Sequence, residues 1–191
     1  MTALRLALSV VLFVVLAIAQ SLDPDHATRQ SQLYLAAFIL FVIAAGTDWV
    51  DGFYARHYDQ VTVLGRIFDP FVDKVIICGV FIFLVASPGS QITAWMAVVV
   101  VVRELLVTAL RSFFERRGTD FSAKWAGKVK MVLQCGAAAA SLLLLTYTRP
   151  DTQPAPAWLL NLVIVLLWSA IVVTVYSGAE YVVAAARLWK D

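Results

Sequence analysis

Six apolar stretches run along the chain, near residues 3–20, 32–54, 67–86, 91–114, 125–147 and 157–187. A helix that crosses a bilayer needs about 17 to 25 such residues, and each stretch supplies them. Hydrocarbon offers no partner to a backbone N–H or C=O, so long apolar runs of this kind resolve as helices. The pattern therefore predicts an all-α integral membrane protein of six transmembrane helices, forming a single membrane-embedded domain over residues 1–191. The last stretch is long enough to tilt or to extend past the bilayer. Its outer connections read SLDPDHATRQ, SPGSQ and TRPDTQPAP, rich in the residues that favour turns.

Composition agrees with the pattern. The 191 residues are 61% hydrophobic and 15% charged, with a mean hydropathy of +0.82, which excludes an ordinary soluble domain. With a cytoplasmic N-terminus, all of the 15 basic residues except Arg29 and Arg149 gather on the inner side, so both termini are expected there. Trp49, Trp125 and Trp189 fall near the inner interface and Trp158 near the outer one. A net charge of +2 is too small to point to nucleic acid. Cys78 and Cys135 lie in apolar segments without paired spacing and read as small hydrophobes. Residues 1–20 carry one Arg, an apolar run and AIA before Gln20. Reading them as a cleaved signal would leave five spans and an outer N-terminus, so they are taken as the first span.

Against this background four aspartates stand out: Asp48, Asp51, Asp69 and Asp73. A lone carboxylate at the bilayer centre costs about 2.5 to 3.5 kcal/mol, so four need compensation. Asp48 and Asp51, three apart, share one helical face with Gly52, Ala55 and Arg56, and Gly65, Asp69 and Asp73 recur every four residues on another. Two helices can thus aim two carboxylates each at one point. Clustered carboxylates stay ionised beside cations of similar total charge, and oxygen-only ligands suit Mg²⁺ or Mn²⁺, here as a pair of ions. Gly52 and Gly65 allow a close approach to the backbone, and Arg56 offers a planar donor fork for phosphate. The implied substrate is phosphorylated.

A second constellation is basic. Arg103 interrupts VVVVVRELLV, where a charge is expensive unless it faces protein or water. Arg111 lies eight residues on, about 80° around a helix, so the two can converge on a ligand at different depths. Glu104 and Glu115 offset them in part. Lys124 and Lys128 share a face, whereas Lys130 points away from Lys128 in a regular helix. Such a cluster suits an acceptor that carries its own phosphate, held apart from the metal ions. Arg116 and Arg117 read as positive-inside anchors, His26 and His57 as solvated loop residues, and Lys74 as a snorkelling cation or the partner of an aspartate.

The run Asp48-x2-Asp51-Gly52-x2-Ala55-Arg56-x8-Gly65-x3-Asp69-x3-Asp73 resembles the signature of the CDP-alcohol phosphotransferases, membrane enzymes that join an alcohol to a CDP-linked group and release CMP. With Arg103-Glu104-x6-Arg111 and Gly127-Lys128-Val129-Lys130, the chain is most similar to the phosphatidylglycerophosphate synthases among them. Thr2 and Arg5 ahead of an apolar run resemble the start of the family's first helix. Val10 and Met131 depart from its pattern, standing where a proline and a threonine are frequent. The resemblance covers most of residues 1–130.

It implies transfer of the phosphatidyl group of CDP-diacylglycerol to sn-glycerol 3-phosphate, giving phosphatidylglycerophosphate and CMP, in the cell membrane with the site facing the cytoplasm. By the same resemblance Asp48, Asp51, Asp69 and Asp73 hold the metal ions and Asp73 is the catalytic base. The CDP group meets Asp48, Asp51, Gly52, Ala55, Arg56, Thr62, Gly65 and Asp69. Arg103, Arg111, Lys128, Lys130 and Arg5 bind the acceptor phosphate. A homodimer among membrane lipids is implied as well. Two alternatives stay open: another acceptor (inositol phosphate, phosphatidylglycerol or an amino alcohol), or a non-enzymatic ion or proton pathway built on the aspartates.

Overall fold

A computed structural model describes residues 2–54, 63–115, 125–147 and 155–188, with the side chains of all of these except 2, 3, 24, 48–54, 63–73 and 115. Six α-helices follow in order: α1 (Thr2–Ser21), α2 (Ala27–Tyr54), α3 (Val63–Val85), α4 (Ala94–Glu115), α5 (Trp125–Tyr147) and α6 (Ala157–Leu188). A short 3₁₀ turn, Pro24–His26, leads from α1 into α2. Among the described residues all regular structure is helical. α1, α2, α5 and α6 each contain a window long and apolar enough to cross a membrane. α3 contributes a shorter apolar run, Lys74–Val85, and α4 carries charge in mid-helix at Arg103 and Glu104.

Each helix buries one stripe and exposes another. In α2, Tyr34, Ala37, Phe41 and Ala44 alternate at three- and four-residue steps and are buried, while Leu35, Ile39, Val42 and Ile43 are exposed. α1 does the same, with Leu12, Leu16 and Ala19 inside and Val10, Val11, Val14 and Ile18 outside. Large aliphatic side chains cover the outside and Arg5, Arg103, Glu104 and Lys130 are buried. That inversion suits a molecule whose solvent is hydrocarbon.

Helices pack closely where side chains are small. α5 runs Gly136-Ala137-Ala138-Ala139-Ala140-Ser141 along its middle and packs against α6, α2 and α3, an arrangement favoured in membranes because small residues let backbones approach. Gly79 of α3 is the tightest such point: a Cβ there would lie 2.2 Å from Cζ of Phe13 on α1. The Phe13 ring in turn stacks on Phe83, with centroids 5.4 Å apart.

Polar contacts pin one end of the bundle. Gln20 donates to the Phe83 carbonyl at 2.7 Å and to Ser87 Oγ at 2.9 Å, and the Tyr34 hydroxyl lies 3.3 Å from the same Ser87 oxygen. Ser31 donates to the Thr146 carbonyl at 2.7 Å, tying α2 to α5. The α3–α4 turn uses the left-handed region at Gly89 (φ 91°) and Gln91 (φ 65°) and is closed by Ser90 Oγ donating to the Leu84 carbonyl at 2.6 Å. Cys78 and Cys135 are half-buried in α3 and α5, and neither forms a disulfide.

Candidate active site

The polar interior begins at Arg103, which α4 carries into the bundle against α6. Its Nε donates to Ser177 Oγ at 3.2 Å, its Nη1 to Glu104 Oε1 at 3.3 Å, and its guanidinium carbon sits 5.7 Å from the centre of the Tyr181 ring. Glycines make the space. A Cβ on Gly178 would come within 3.2 Å of Arg103 Cγ, and one on Gly127 within 3.9 Å of Nη2. An arginine held by a carboxylate, a hydroxyl and an aromatic face is stabilised in a medium where a bare charge would not be.

Glu104 is the hub. Its Oε1 also accepts from Lys130 Nζ of α5, so two cations from different helices share one carboxylate oxygen. Its backbone carbonyl accepts from Thr108 Oγ1 at 2.6 Å, and Thr108 accepts from Lys74 Nζ of α3. Removing one member of a buried ion pair costs about 3 to 5 kcal/mol because the other is left uncompensated. α6 backs the cluster through a second set of bonds: Gln134 donates to Thr174 Oγ1 at 2.9 Å, Ser177 Oγ to the Thr174 carbonyl at 3.1 Å, and Arg111 Nη2 to the Tyr181 hydroxyl at 3.1 Å.

Of this network Lys74, Glu104, Arg111, Lys130 and Gln134 open onto a cavity of about 270 Å³ shared by four helices. α2 contributes Phe41, Ala44 and Ala45, α3 Lys74, Ile76 and Ile77, α4 Glu104 and Arg111, and α5 Lys130, Met131, Gln134 and Cys135. Ligand pockets usually measure about 300 to 1,000 Å³, so this one suits a small polar molecule. Among the described residues its charged lining is three cations and one carboxylate. Arg111 Nε is buried without a hydrogen-bond partner among the described residues, an unspent donor beside the cavity.

The five basic residues expected at an acceptor phosphate are placed differently from one another. Arg111 and Lys130 line the cavity, whereas Arg103 stands behind its wall, contacting Glu104, Ser177 and Tyr181. Lys128 is exposed, and Arg5 is buried on α1, outside the cavity lining. Lys74 takes the Thr108 hydroxyl as its partner.

Ala55, Arg56 and Thr62 lie outside the described residues. Asp48, Asp51, Gly52, Gly65, Asp69 and Asp73 lie on α2 and α3, with side chains outside the described set. The backbone still gives their register. On α2, Asp48 and Asp51 continue the stripe of Phe41, Ala44 and Ala45 within an arc of about 120°. On α3, Asp69 and Asp73 fall between the angular positions of Ile76 and Ile77. The donor set suits a hard divalent ion: four carboxylates, paired at three- and four-residue steps, on two helices whose adjoining turns wall one cavity. Among the described side chains no three His, Cys, Asp or Glu come together.

Several residues of this centre carry no motif: Ser177, Gly178, Tyr181, Thr174 and Gln134. A signal was present in α6, where Thr174, Ser177, Gly178 and Tyr181 form a polar and small stripe at three- and four-residue steps in an otherwise apolar helix.

Known proteins are similar to this chain along most of its length. The family model described as CDP-alcohol phosphatidyltransferase matches residues 1–176. A protein of Bacillus subtilis (strain 168) named CDP-diacylglycerol--glycerol-3-phosphate 3-phosphatidyltransferase is 38% identical over 154 residues, covering 78% of this chain and 72% of that protein. Proteins of the same name from Yersinia pestis (strain Pestoides F) and Shigella flexneri serotype 5b (strain 8401) are 35% and 33% identical, over 155 and 152 residues. The first covers 80% of this chain and 78% of its own length, the second 78% of each. The match takes in α1 to α5 whole and α6 as far as Tyr176, so the chain belongs to the CDP-alcohol phosphatidyltransferase family.

Proposed function

We propose that this protein transfers the phosphatidyl group of CDP-diacylglycerol to sn-glycerol 3-phosphate, giving phosphatidylglycerophosphate and CMP. The observation that carries the reading is the cationic cavity, whose α2 and α3 walls run in register into Asp48, Asp51, Asp69 and Asp73. Relatives of that name, similar over about four fifths of the chain, support it.

In this reading Arg111 and Lys130 bind the acceptor phosphate, Lys128 and Arg5 complete its surroundings, and Arg103 positions Glu104 and Tyr181 behind them. Gly52, Ala55, Arg56, Thr62 and Gly65, with the aspartates, shape the CDP pocket. Asp48, Asp51, Asp69 and Asp73 would hold two divalent ions, Mg²⁺ or Mn²⁺, which supply neutralisation of the diphosphate charge. Asp73 takes the proton of the acceptor's 1-hydroxyl as its oxygen attacks the phosphorus that bears diacylglycerol. The new O–P bond forms as the bond to CMP breaks. Lys74, one residue beyond Asp73 and bonded to Thr108, links the two halves of the site.

We place the protein in the cell membrane as a homodimer, with six crossings and with both termini and the site on the cytoplasmic side. The distribution of basic residues supports this orientation.

Release of CMP from CDP-diacylglycerol by the purified protein tests the reading, with a panel of acceptor alcohols and with Mg²⁺ present or chelated. Transfer should occur to glycerol 3-phosphate and stop on chelation. Asp69→Asn and Asp73→Asn should lower kcat by about 10²- to 10⁴-fold. Full transfer by either variant rules the mechanism out, and refusal of glycerol 3-phosphate with acceptance of another alcohol reassigns the substrate.

A further inference from the structure

Glu104 is the one carboxylate among the cavity's described lining residues. One oxygen, Oε1, receives both Lys130 Nζ and Arg103 Nη1, and all three side chains are more than nine-tenths buried. Two cationic donors converging on one anionic oxygen is the arrangement a phosphate oxygen would meet in the same place. Among the described lining residues Lys74, Arg111 and Lys130 are the cations and Glu104 the carboxylate. A phosphate monoester, carrying about −1.5 to −2 at neutral pH, offers those cations a second anion beside Glu104.

The two cations are not equally fixed. Arg103 is held by Ser177 and by the face of Tyr181 as well as by Glu104. Lys130 presents a compact ammonium on a four-carbon stem, with three donors that can pass from one anion to another without movement of the helix. Glu104 can therefore lose Lys130 and keep Arg103.

We propose that Glu104 is the internal counter-anion of the acceptor pocket: its carboxylate occupies Lys130 while the pocket is empty, and an entering phosphate monoester takes Lys130 from it. The proposal rests on the reading that the acceptor is phosphorylated. Its consequence is an exchange of one anion for another, so the pocket never holds Lys130 without a partner. The same exchange moderates affinity, because each binding event first breaks a buried ion pair. An acceptor held too tightly in its ground state would gain nothing in rate.

Thermal unfolding of the full chain in detergent tests the exchange, with inorganic phosphate as the probe and chloride at matched ionic strength as the reference. Without phosphate, Glu104→Gln should unfold at a lower temperature than the wild type. Phosphate should stabilise it by a larger shift than it gives the wild type, with apparent phosphate affinity raised by about tenfold. Glu104→Asp, whose carboxylate is withdrawn by one methylene, should fall between the two, and it carries the comparison if Glu104→Gln does not fold. Lys130→Gln should lose the phosphate response. An equal phosphate shift in wild type and both Glu104 variants overturns the exchange, as does a response surviving in Lys130→Gln or an affinity that falls in Glu104→Gln. Transfer to glycerol 3-phosphate, measured on the wild type alone, separates the two ideas. Its absence beside an intact phosphate exchange removes the proposed reaction, and its presence beside a uniform phosphate response removes only the exchange.

Discussion

Tyr181 meets two arginines by two different parts of one side chain. Its ring lies under Arg103 and its hydroxyl accepts from Arg111 Nη2 at 3.1 Å, so one residue of α6 aligns two cations eight residues apart on α4. Deleting only the hydroxyl separates these roles. Tyr181→Phe keeps the aromatic face for Arg103 but leaves Arg111, whose Nε has no described partner, short of a second acceptor. The loss in stability should be about 1 kcal/mol, that of one hydrogen bond. The KM for glycerol 3-phosphate should rise by about five- to tenfold, with kcat and the KM for CDP-diacylglycerol unchanged. Steady-state kinetics with each substrate varied in turn checks this. A uniform fall in kcat with no change in KM would assign Tyr181 to packing alone.

At the level of the helices, length and apolarity carried most of the information. Stretches placed near 125–147 and 157–187 correspond to α5 at Trp125–Tyr147 and α6 at Ala157–Leu188. α2 starts five residues ahead of its apolar stretch, because Pro24–His26 leads straight into a helical start, ATRQS, that is polar after Ala27. Hydropathy registers the solvent of a segment, and a helix can begin before its solvent changes. Pairing between helices was much less legible. Lys130 on α5 finds Glu104 on α4, and Arg103 finds Ser177 on α6, because the bundle brings those faces together. Residue spacing sets the face of a helix and leaves its neighbour open. The aspartates were legible for a different reason: charge in an apolar run demands an explanation wherever the chain folds. The α1–α3 contact was equally hidden, since nothing near Gly79 announces Phe13. Gly79→Ala would push a Cβ to 2.2 Å from that ring, which is already stacked on Phe83. The variant should lose about 1 to 3 kcal/mol of stability, read by thermal or denaturant unfolding in detergent. Phe13→Leu in the same chain should recover part of the loss.

Across the whole molecule the buried charges and the exposed aliphatic side chains carry one message: the outside faces lipid and the inside holds the chemistry. That inversion does not say which end of the bundle meets which compartment. The orientation we propose from the bias of Lys and Arg puts the turn at Pro24–His26 on the outer face and the start of α5 on the cytoplasmic face. Asp25 and Lys128 are exposed at those two places. In a chain carrying Cys78→Ala and Cys135→Ala, a membrane-impermeant thiol reagent applied to intact cells should label Asp25→Cys and spare Lys128→Cys. Opening the cells should expose Lys128→Cys to the reagent. The two sites are joined by an odd number of crossings if α2, α3 and α4 each cross, and by an even number if one of these three fails to span. Labelling of both from one side would therefore break the six-crossing topology itself. Labelling in the opposite order would keep the crossings and invert the protein, placing the acceptor cavity and the aspartate-bearing ends of α2 and α3 away from the cytoplasm.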